Sequence, residues 1–428
     1  MSALDILLIL LRVAFGALVP LSSVAILVWM ERRGAGFFQD RAGPNRCNVM
    51  GFRAAGLIQN IADGVKLVFK EDVIPGHIRH KFYFVLAPVL VFITALLCFA
   101  VIPFADILVI GDRQYVMQAV PMDLGILWFL AIVGFGVYGI ILAGWSSHNK
   151  YGVLGGLRAA AQVISYEIPM GLALVSLLAV YGTVNLTEMA QYQGQLLFGF
   201  IPMWGVFLQP IGFIIFIIAA FAETNRTPFD LAEGESEIVA GFHVEYSSMK
   251  FALFFLGEYV AMFVSSALII TLYFGSYQIP WLSTETLVAH AKPLVIALML
   301  GLPVCAYLFM VWMKKNNRSH YHRPNDPRVR ETKVYVALLW SLVLLLEVIF
   351  LGYLAFAHGT AADRIIVALL QIATFLTKTL LMCFVYVWVR WTLPRFRYDQ
   401  LQKIGWEKLL PLALLNIFIT SAVIVSFG

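Results

Sequence analysis

F-Y-F-V-L-A-P-V-L-V-F-I-T-A-L-L-C-F-A-V-I-P-F, residues Phe82–Phe104, contains no charged residue. A helix crossing the ~30 Å hydrocarbon core of a bilayer needs about 20 apolar residues, and this run supplies them. Comparable runs at 4–30, 124–145, 158–181, 203–222, 250–274, 293–313, 334–356, 365–389 and 409–427 bring the expected spans to ten. In lipid the backbone must satisfy its own hydrogen bonds, and long uninterrupted runs select helices over the short alternating strands of a barrel. Composition agrees. Of 428 residues, 61% are hydrophobic and 13% charged, against about 25% charged in soluble domains, and the mean hydropathy is +0.84. The sequence predicts an all-α, polytopic membrane helix bundle. No cleavable signal peptide is expected, because the first run lacks a basic leader and continues to Met30.

The connections sort by charge. Loops 31–81, 314–333 and 390–408 are rich in Lys and Arg, whereas the alternate loops are nearly free of them and 182–202 has none. The positive-inside rule puts the basic set in the cytoplasm and both termini on the opposite, periplasmic side. The net charge of +5 is thereby a topology signal, and no nucleic-acid partner is expected. Cys47, Cys98, Cys305 and Cys383 have no spacing suited to zinc or an iron–sulfur cluster. His77 with His80, and His320 with His322, lie in basic polar segments and read as solvated. No metal, cluster or covalently bound cofactor is expected in this chain.

Residues 222–247, A-E-T-N-R-T-P-F-D-L-A-E-G-E-S-E-I-V-A-G-F-H-V-E-Y-S, carry Glu223, Asp230, Glu233, Glu235, Glu237 and Glu245, with Arg226 the only counter-charge among them. Like charges and desolvation both raise carboxyl pKa values, so one reading is a proton store beside the membrane. The other is an ordinary solvated acidic loop. Thr227-Pro228-Phe229-Asp230 predicts a helix start with Thr227 as N-cap and Pro228 at N1. That helix would set Asp230, Glu233 and Glu237 on one face, with Glu235 turned away.

The first basic loop reads M-E-R-R-G-A-G-F-F-Q-D-R-A-G-P-N-R from Met30 to Arg46, then an amphipathic stretch from Arg53 to Asp72. Leu57, Ile61, Val65 and Val68 form one face of a helix expected in the membrane interface or against the bundle, where an amphiphilic ligand could enter from the lipid. Charges inside spans are costly, which makes Glu167, Glu258, Glu347 and Lys378 candidates for proton relays or buried pairs; Glu347 reads as structural, Glu167 and Glu258 as functional.

Four stretches together carry a resemblance. They are the acidic stretch, E-R-R…Q-D-R-A-G-P-N-R, I-A-D-G-V-K-L-V-F-K-E-D at 61–72 and W-V-R-W-T-L-P-R-F-R-Y-D-Q-L at 388–401. Over about 1–277 and 365–428 the chain resembles the quinone-site membrane subunit of respiratory complex I, the NuoH family of bacteria. The resemblance implies a proton-translocating NADH:quinone oxidoreductase of the bacterial inner membrane, with the redox centres on partner subunits and quinone as substrate. It implies that Glu31, Arg32, Arg41, Asp63, Glu71, Asp72, Arg226, Arg390, Arg395 and Arg397 frame a quinone chamber. It further implies that Glu223, Asp230, Glu233, Glu235, Glu237 and Glu245, continued by Glu167, couple quinone reduction to proton movement. The implied partners are the peripheral-arm quinone-site subunits, neighbouring membrane-arm subunits and the lipid bilayer.

Two departures from the family pattern stand out. C-N-V-M-G-F-R-A-A-G-L-I, between Arg46 and Gln59, is longer than the compact turn usual there. Residues 278–364 add two spans and a very basic loop to the common eight-span core, so the expected division is 1–277, 278–364 and 365–428. Loop 314–333 could hold anionic lipid headgroups, dock a partner subunit, or serve only as a topology anchor. Two other functions remain open: the matching subunit of a membrane-bound hydrogenase-type complex, and a proton-coupled secondary transporter, for which the internal repeats expected of that class are missing.

Overall fold

The computed structural model describes residues 3–41, 43–197, 199–232, 238–239, 241–319, 327–356 and 360–427. The chain is a helix bundle. Its helices are α1 (Ala3–Phe38), α2 (Leu57–Phe69), α3 (Lys81–Cys98), α4 (Gly125–Ser146), α5 (Lys150–Tyr181), α6 (Leu186–Tyr192), α7 (Gly205–Leu208) and α8 (Pro210–Glu223). They continue with α9 (Ser248–Tyr273), α10 (Thr284–Ala289), α11 (Ala291–Ser319), α12 (Pro327–Phe356), α13 (Thr360–Thr392), α14 (Tyr398–Lys403) and α15 (Leu410–Phe427). A π-helical turn at Ile404–Leu409 joins α14 to α15. The described structure also holds 3-10 turns at Ala54–Gly56, Phe99–Val101 and Gly241–His243 and two short antiparallel hairpins, the first pairing Leu108 with Tyr115.

Among the described residues, nine helices are long and apolar enough to cross a membrane. The tenth expected span, 203–222, differs. It is the single turn α7 followed by the 14-residue α8, separated at Gln209 (φ −135°, ψ 62°). Pro210 is the cause: it offers no N–H and drives the residue before it out of the α region. The first helix also differs, running on to Phe38 through Glu31, Arg32 and Arg33, so those three side chains have helical spacing.

α9 is the axis of the bundle, with 67% of its most apolar window buried, and it packs against α3, α13 and α1. α11 and α12 sit at the periphery, with 11% and 6% of theirs buried, and pack chiefly on each other. Their exposed Leu, Val and Ile side chains match a lipid surround.

Glycine lets α5 approach the loop after α8. A Cβ on Gly155 would lie 2.7 Å from the Phe242 nitrogen and 2.8 Å from the Gly241 Cα. One end of the bundle gathers residues 31–41, 43–80, 146–150, 224–232, 241–247 and 390–403, through contacts such as Ser248 Oγ to the Leu67 and Lys70 carbonyls, His77 to the Ser147 carbonyl and Tyr166 to the Leu401 carbonyl. At the other end Asp106 accepts from Gln191, Tyr277 and Thr284. There Lys378 donates to the carbonyls of Phe274, Ser276 and Gln278 at 2.7–3.0 Å. Those bonds tie down the chain leaving α9.

Candidate functional site

The site is assembled where α1, α9, α13 and the chain leaving α8 converge. α8 ends at Glu223, and the next residues turn sharply. Buried Gln162 of α5 fixes that turn by donating to the carbonyls of Ala222 and Phe229. The turn delivers Arg226 into the bundle, where it is 2% exposed. Its Nη1 donates to Glu31 Oε2 at 2.9 Å, and its Nε lies 2.8 Å from Glu258 Oε1. Its guanidinium plane sits 4.1 Å from the centre of the Tyr259 ring, a cation–π contact. The Tyr259 hydroxyl donates to Glu31 Oε2 at 2.9 Å, and Arg390 Nη1 meets Glu31 Oε1 at 3.1 Å. Two carboxylates thus face two guanidinium groups with their charges balanced, which a buried set requires. Burial works against the charge on Arg226, but Glu258 and Glu31 outweigh it and hold the group firmly protonated.

This set forms the polar wall of a cavity of about 280 Å³. The remaining wall is largely apolar and aromatic, including Phe129, Val133, Phe216, Phe254 and Phe255. Glu223 also lines it, and its Oε1 is buried without a hydrogen-bond partner among the described residues. An apolar chamber with a few convergent charged groups is the form of a site for a largely apolar ligand with a polar head.

The predicted site residues divide around this cavity. Glu31, Arg226, Arg390 and Glu223 line it together, and Glu258, marked as an intramembrane acid, joins them. Arg32 pairs with Asp63 of α2, next to Glu31 on α1. Arg395 pairs with Asp230, and Asp72 with Lys250. Glu245 accepts from Asn149, the N-cap of α5, at 2.8 Å, and lies 3.9 Å from His77. Glu167 is half-buried on α5, facing Gly134. Arg41, Glu71 and Arg397 are exposed, with Arg41 held to Gln39 and Arg397 to Asp399. Glu233, Glu235 and Glu237 lie outside the described residues.

One expectation is corrected. Residues 227–232 form turns, not the first turn of a helix, and the Thr227–Pro228 peptide bond is cis. Phe229 donates its N–H to the Arg226 carbonyl, its ring packs against Tyr166 and Phe396, and Asp230 is drawn to Arg395. A local turn bond takes the Phe229 N–H, and tertiary partners take the Pro228 carbonyl and the Asp230 side chain that a capped helix would have used. Glu347, expected to be structural, has Oε1 without a partner among the described residues.

Tyr259, Gln162 and Lys250 join the site without any signal in the sequence that marks them. Tyr259 follows Glu258 directly, but nothing in the sequence tells that its hydroxyl reaches Glu31, 228 residues away.

The sequence model of the NADH dehydrogenase family matches residues 11–322 and 331–421. The chain belongs to the NADH dehydrogenase family, complex I subunit 1. Among similar proteins, an NADH-quinone oxidoreductase H-type subunit of Solibacter usitatus is 41% identical, over 95% of this chain and 94% of that protein. The H-type subunit of Salinibacter ruber is 38% identical, over 95% and 93%, and NADH-quinone oxidoreductase subunit 8 of Rhodothermus marinus is 39% identical, over 95% and 94%. Helices α11 and most of α12 fall within the matched residues of the NADH dehydrogenase family. The chain is a multi-pass membrane subunit of an NADH:quinone oxidoreductase complex.

Proposed function

We propose that this subunit shapes the lipid-facing part of a quinone chamber and answers quinone reduction with carboxylate charge. The observation that carries the reading is the cavity whose apolar wall meets Glu31, Arg226, Glu258 and Arg390, with Glu223 beside them. Reducing a quinone in a confined site creates negative charge and a demand for protons. Carboxylates nearby respond by changing protonation, the more strongly in a poorly solvated site. Arg226 and Arg390 would steady the reduced head, while Glu258 and Glu223 would take and release protons. Glu167, Asp230, Glu233, Glu235, Glu237 and Glu245 extend this acidic set in the proposal. Arg32 with Asp63, Glu71, Asp72, Arg41, Arg395 and Arg397 frame the mouth, and α2, whose apolar residues are exposed, lies in the membrane interface where a quinone enters.

The basic end of the bundle faces the cytoplasm in this reading, and both termini face the periplasm across a bacterial inner membrane. Neighbouring complex I subunits carry the redox centres, and the basic loop 314–333 holds anionic lipid or docks a neighbour. The test is made on the assembled complex with Glu258→Gln, Glu233→Gln and Glu235→Gln in turn, measuring quinone reduction and proton translocation together. Rates lowered about tenfold or more are expected from loss of a proton-transferring group. Undiminished rates of both processes in all three variants reject the proposal.

A further inference from the structure

α2 starts from a turn, Arg53–Gly56, whose last three residues take positive φ: 48° at Ala54, 53° at Ala55 and 98° at Gly56. Alanine rarely adopts that region, and two in succession persist only where neighbours hold them. Two neighbours do. From α1, Trp29 donates its indole N–H to the Ala55 carbonyl at 2.9 Å. From α12, Glu331 accepts the Arg53 backbone N–H through Oε1 at 2.8 Å and the Tyr335 hydroxyl through Oε2 at 3.1 Å. The Phe52 and Tyr335 rings lie 5.9 Å apart. Glu331 is 5% exposed, and a buried carboxylate is tolerated only with such hydrogen bonds.

We propose that Glu331 is a positioning residue: it holds the Arg53–Gly56 turn, and through it sets where α2 stands at the mouth of the cavity. The path is short. Leu57 opens α2 immediately after the turn, and Asp63 of α2 pairs with Arg32, the neighbour in sequence of the cavity residue Glu31. The largely exposed helix pair α11–α12 thereby acts as a brace for the entrance. This assignment rests on the quinone-chamber reading, because it concerns entry to that chamber.

The experiment uses the assembled complex and a long-tailed quinone, with NADH oxidation by a water-soluble acceptor as the control for assembly. Glu331→Ala is expected to raise the KM for quinone about three- to tenfold, the range for losing its one hydrogen bond to the turn. Its kcat should stay within about twofold, as for a change in access rather than chemistry. Glu331→Gln can still accept from Arg53 and donate to the Tyr335 hydroxyl, so it should restore the wild-type KM. A wild-type KM in Glu331→Ala overturns the proposal, as does a fall in kcat at constant KM. If Glu331→Ala fails to assemble, Glu331→Asp and Glu331→Gln decide, because the shorter Asp side chain draws the acceptor away from the Arg53 N–H. A raised KM in the first with a normal KM in the second supports the brace, and normal values in both overturn it. Failure of the chamber reading is separately visible as Glu258→Gln and its companions leaving quinone reduction and proton translocation intact.

Discussion

Glu31 on α1 and Arg226 beyond α8 are 195 residues apart in sequence and 2.9 Å apart in space, and the guanidinium is 2% exposed. Removing one member of a buried ion pair leaves the other charge without an answer, which costs about 3–5 kcal/mol. Arg226→Ala strands Glu258 and leaves Glu31 with Arg390 as its sole cation among the ion pairs described above. The expected outcome is loss of most assembled complex, measured by its yield in membranes. Arg226→Met combined with Glu258→Gln strands less charge and should recover part of that yield.

Tyr259→Phe removes one hydrogen bond to an ionised carboxylate, worth about 1.5–3 kcal/mol, while keeping the ring beneath Arg226. Assembly should survive. Quinone reduction should fall by about tenfold, the size of a 1.4 kcal/mol change, because Glu31 is released from its set position. Steady-state kinetics on the purified complex checks this.

Gly155→Val tests how the acidic loop is seated. The new side chain would press on the backbone at Gly241 and Phe242, and backbone cannot move aside as a flexible side chain can. Overpacking of this kind costs about 1–3 kcal/mol. The expected result is a lower thermal midpoint and faster deuterium uptake at residues 241–247, with Gly155→Ala showing a smaller effect in the same direction.

His243, packed against Phe242 and Phe251, has its pKa lowered by burial to about 4. Its ordinary value is about 6.5. Between these two values the displaced loop takes up a proton that the seated loop refuses, so stability falls as pH drops from about 6.5 toward about 4. Above about 6.5 the residue makes no pH-dependent contribution. Thermal midpoints measured from about pH 7.5 to pH 5 should decline less steeply in His243→Gln than in the wild type.

The spans were legible because twenty apolar residues have few other uses, and the amphipathic helix because its apolar residues recur at helical spacing. The break at Gln209 was legible only in part: Pro210 was visible, but hydropathy averages across it. The helix start at Thr227 was a local signal overruled by distant partners, Arg395 for Asp230 and Tyr166 and Phe396 for Phe229. Glu31, Arg226 and Arg390 were marked through motifs. Their joining into one buried set with Glu258 and Tyr259 was not legible, since it depends on the packing of α1, α9 and α13. Charge alone could not separate Glu223 at the cavity from Glu245, which instead meets the cap of α5.

The shortness of α8 bears on how this chain is made. Fourteen residues rise about 21 Å, less than the ~30 Å hydrocarbon core, so Gln209 enters the bilayer with its amide at depth. In the finished fold that amide donates to Thr420 and accepts from Asn416, which also donates to Ser176. Thr420 and Asn416 are synthesised about two hundred residues after Gln209. A chain ending before residue 410 would lack both partners, and the Gln209 amide would have to find others or go unsatisfied.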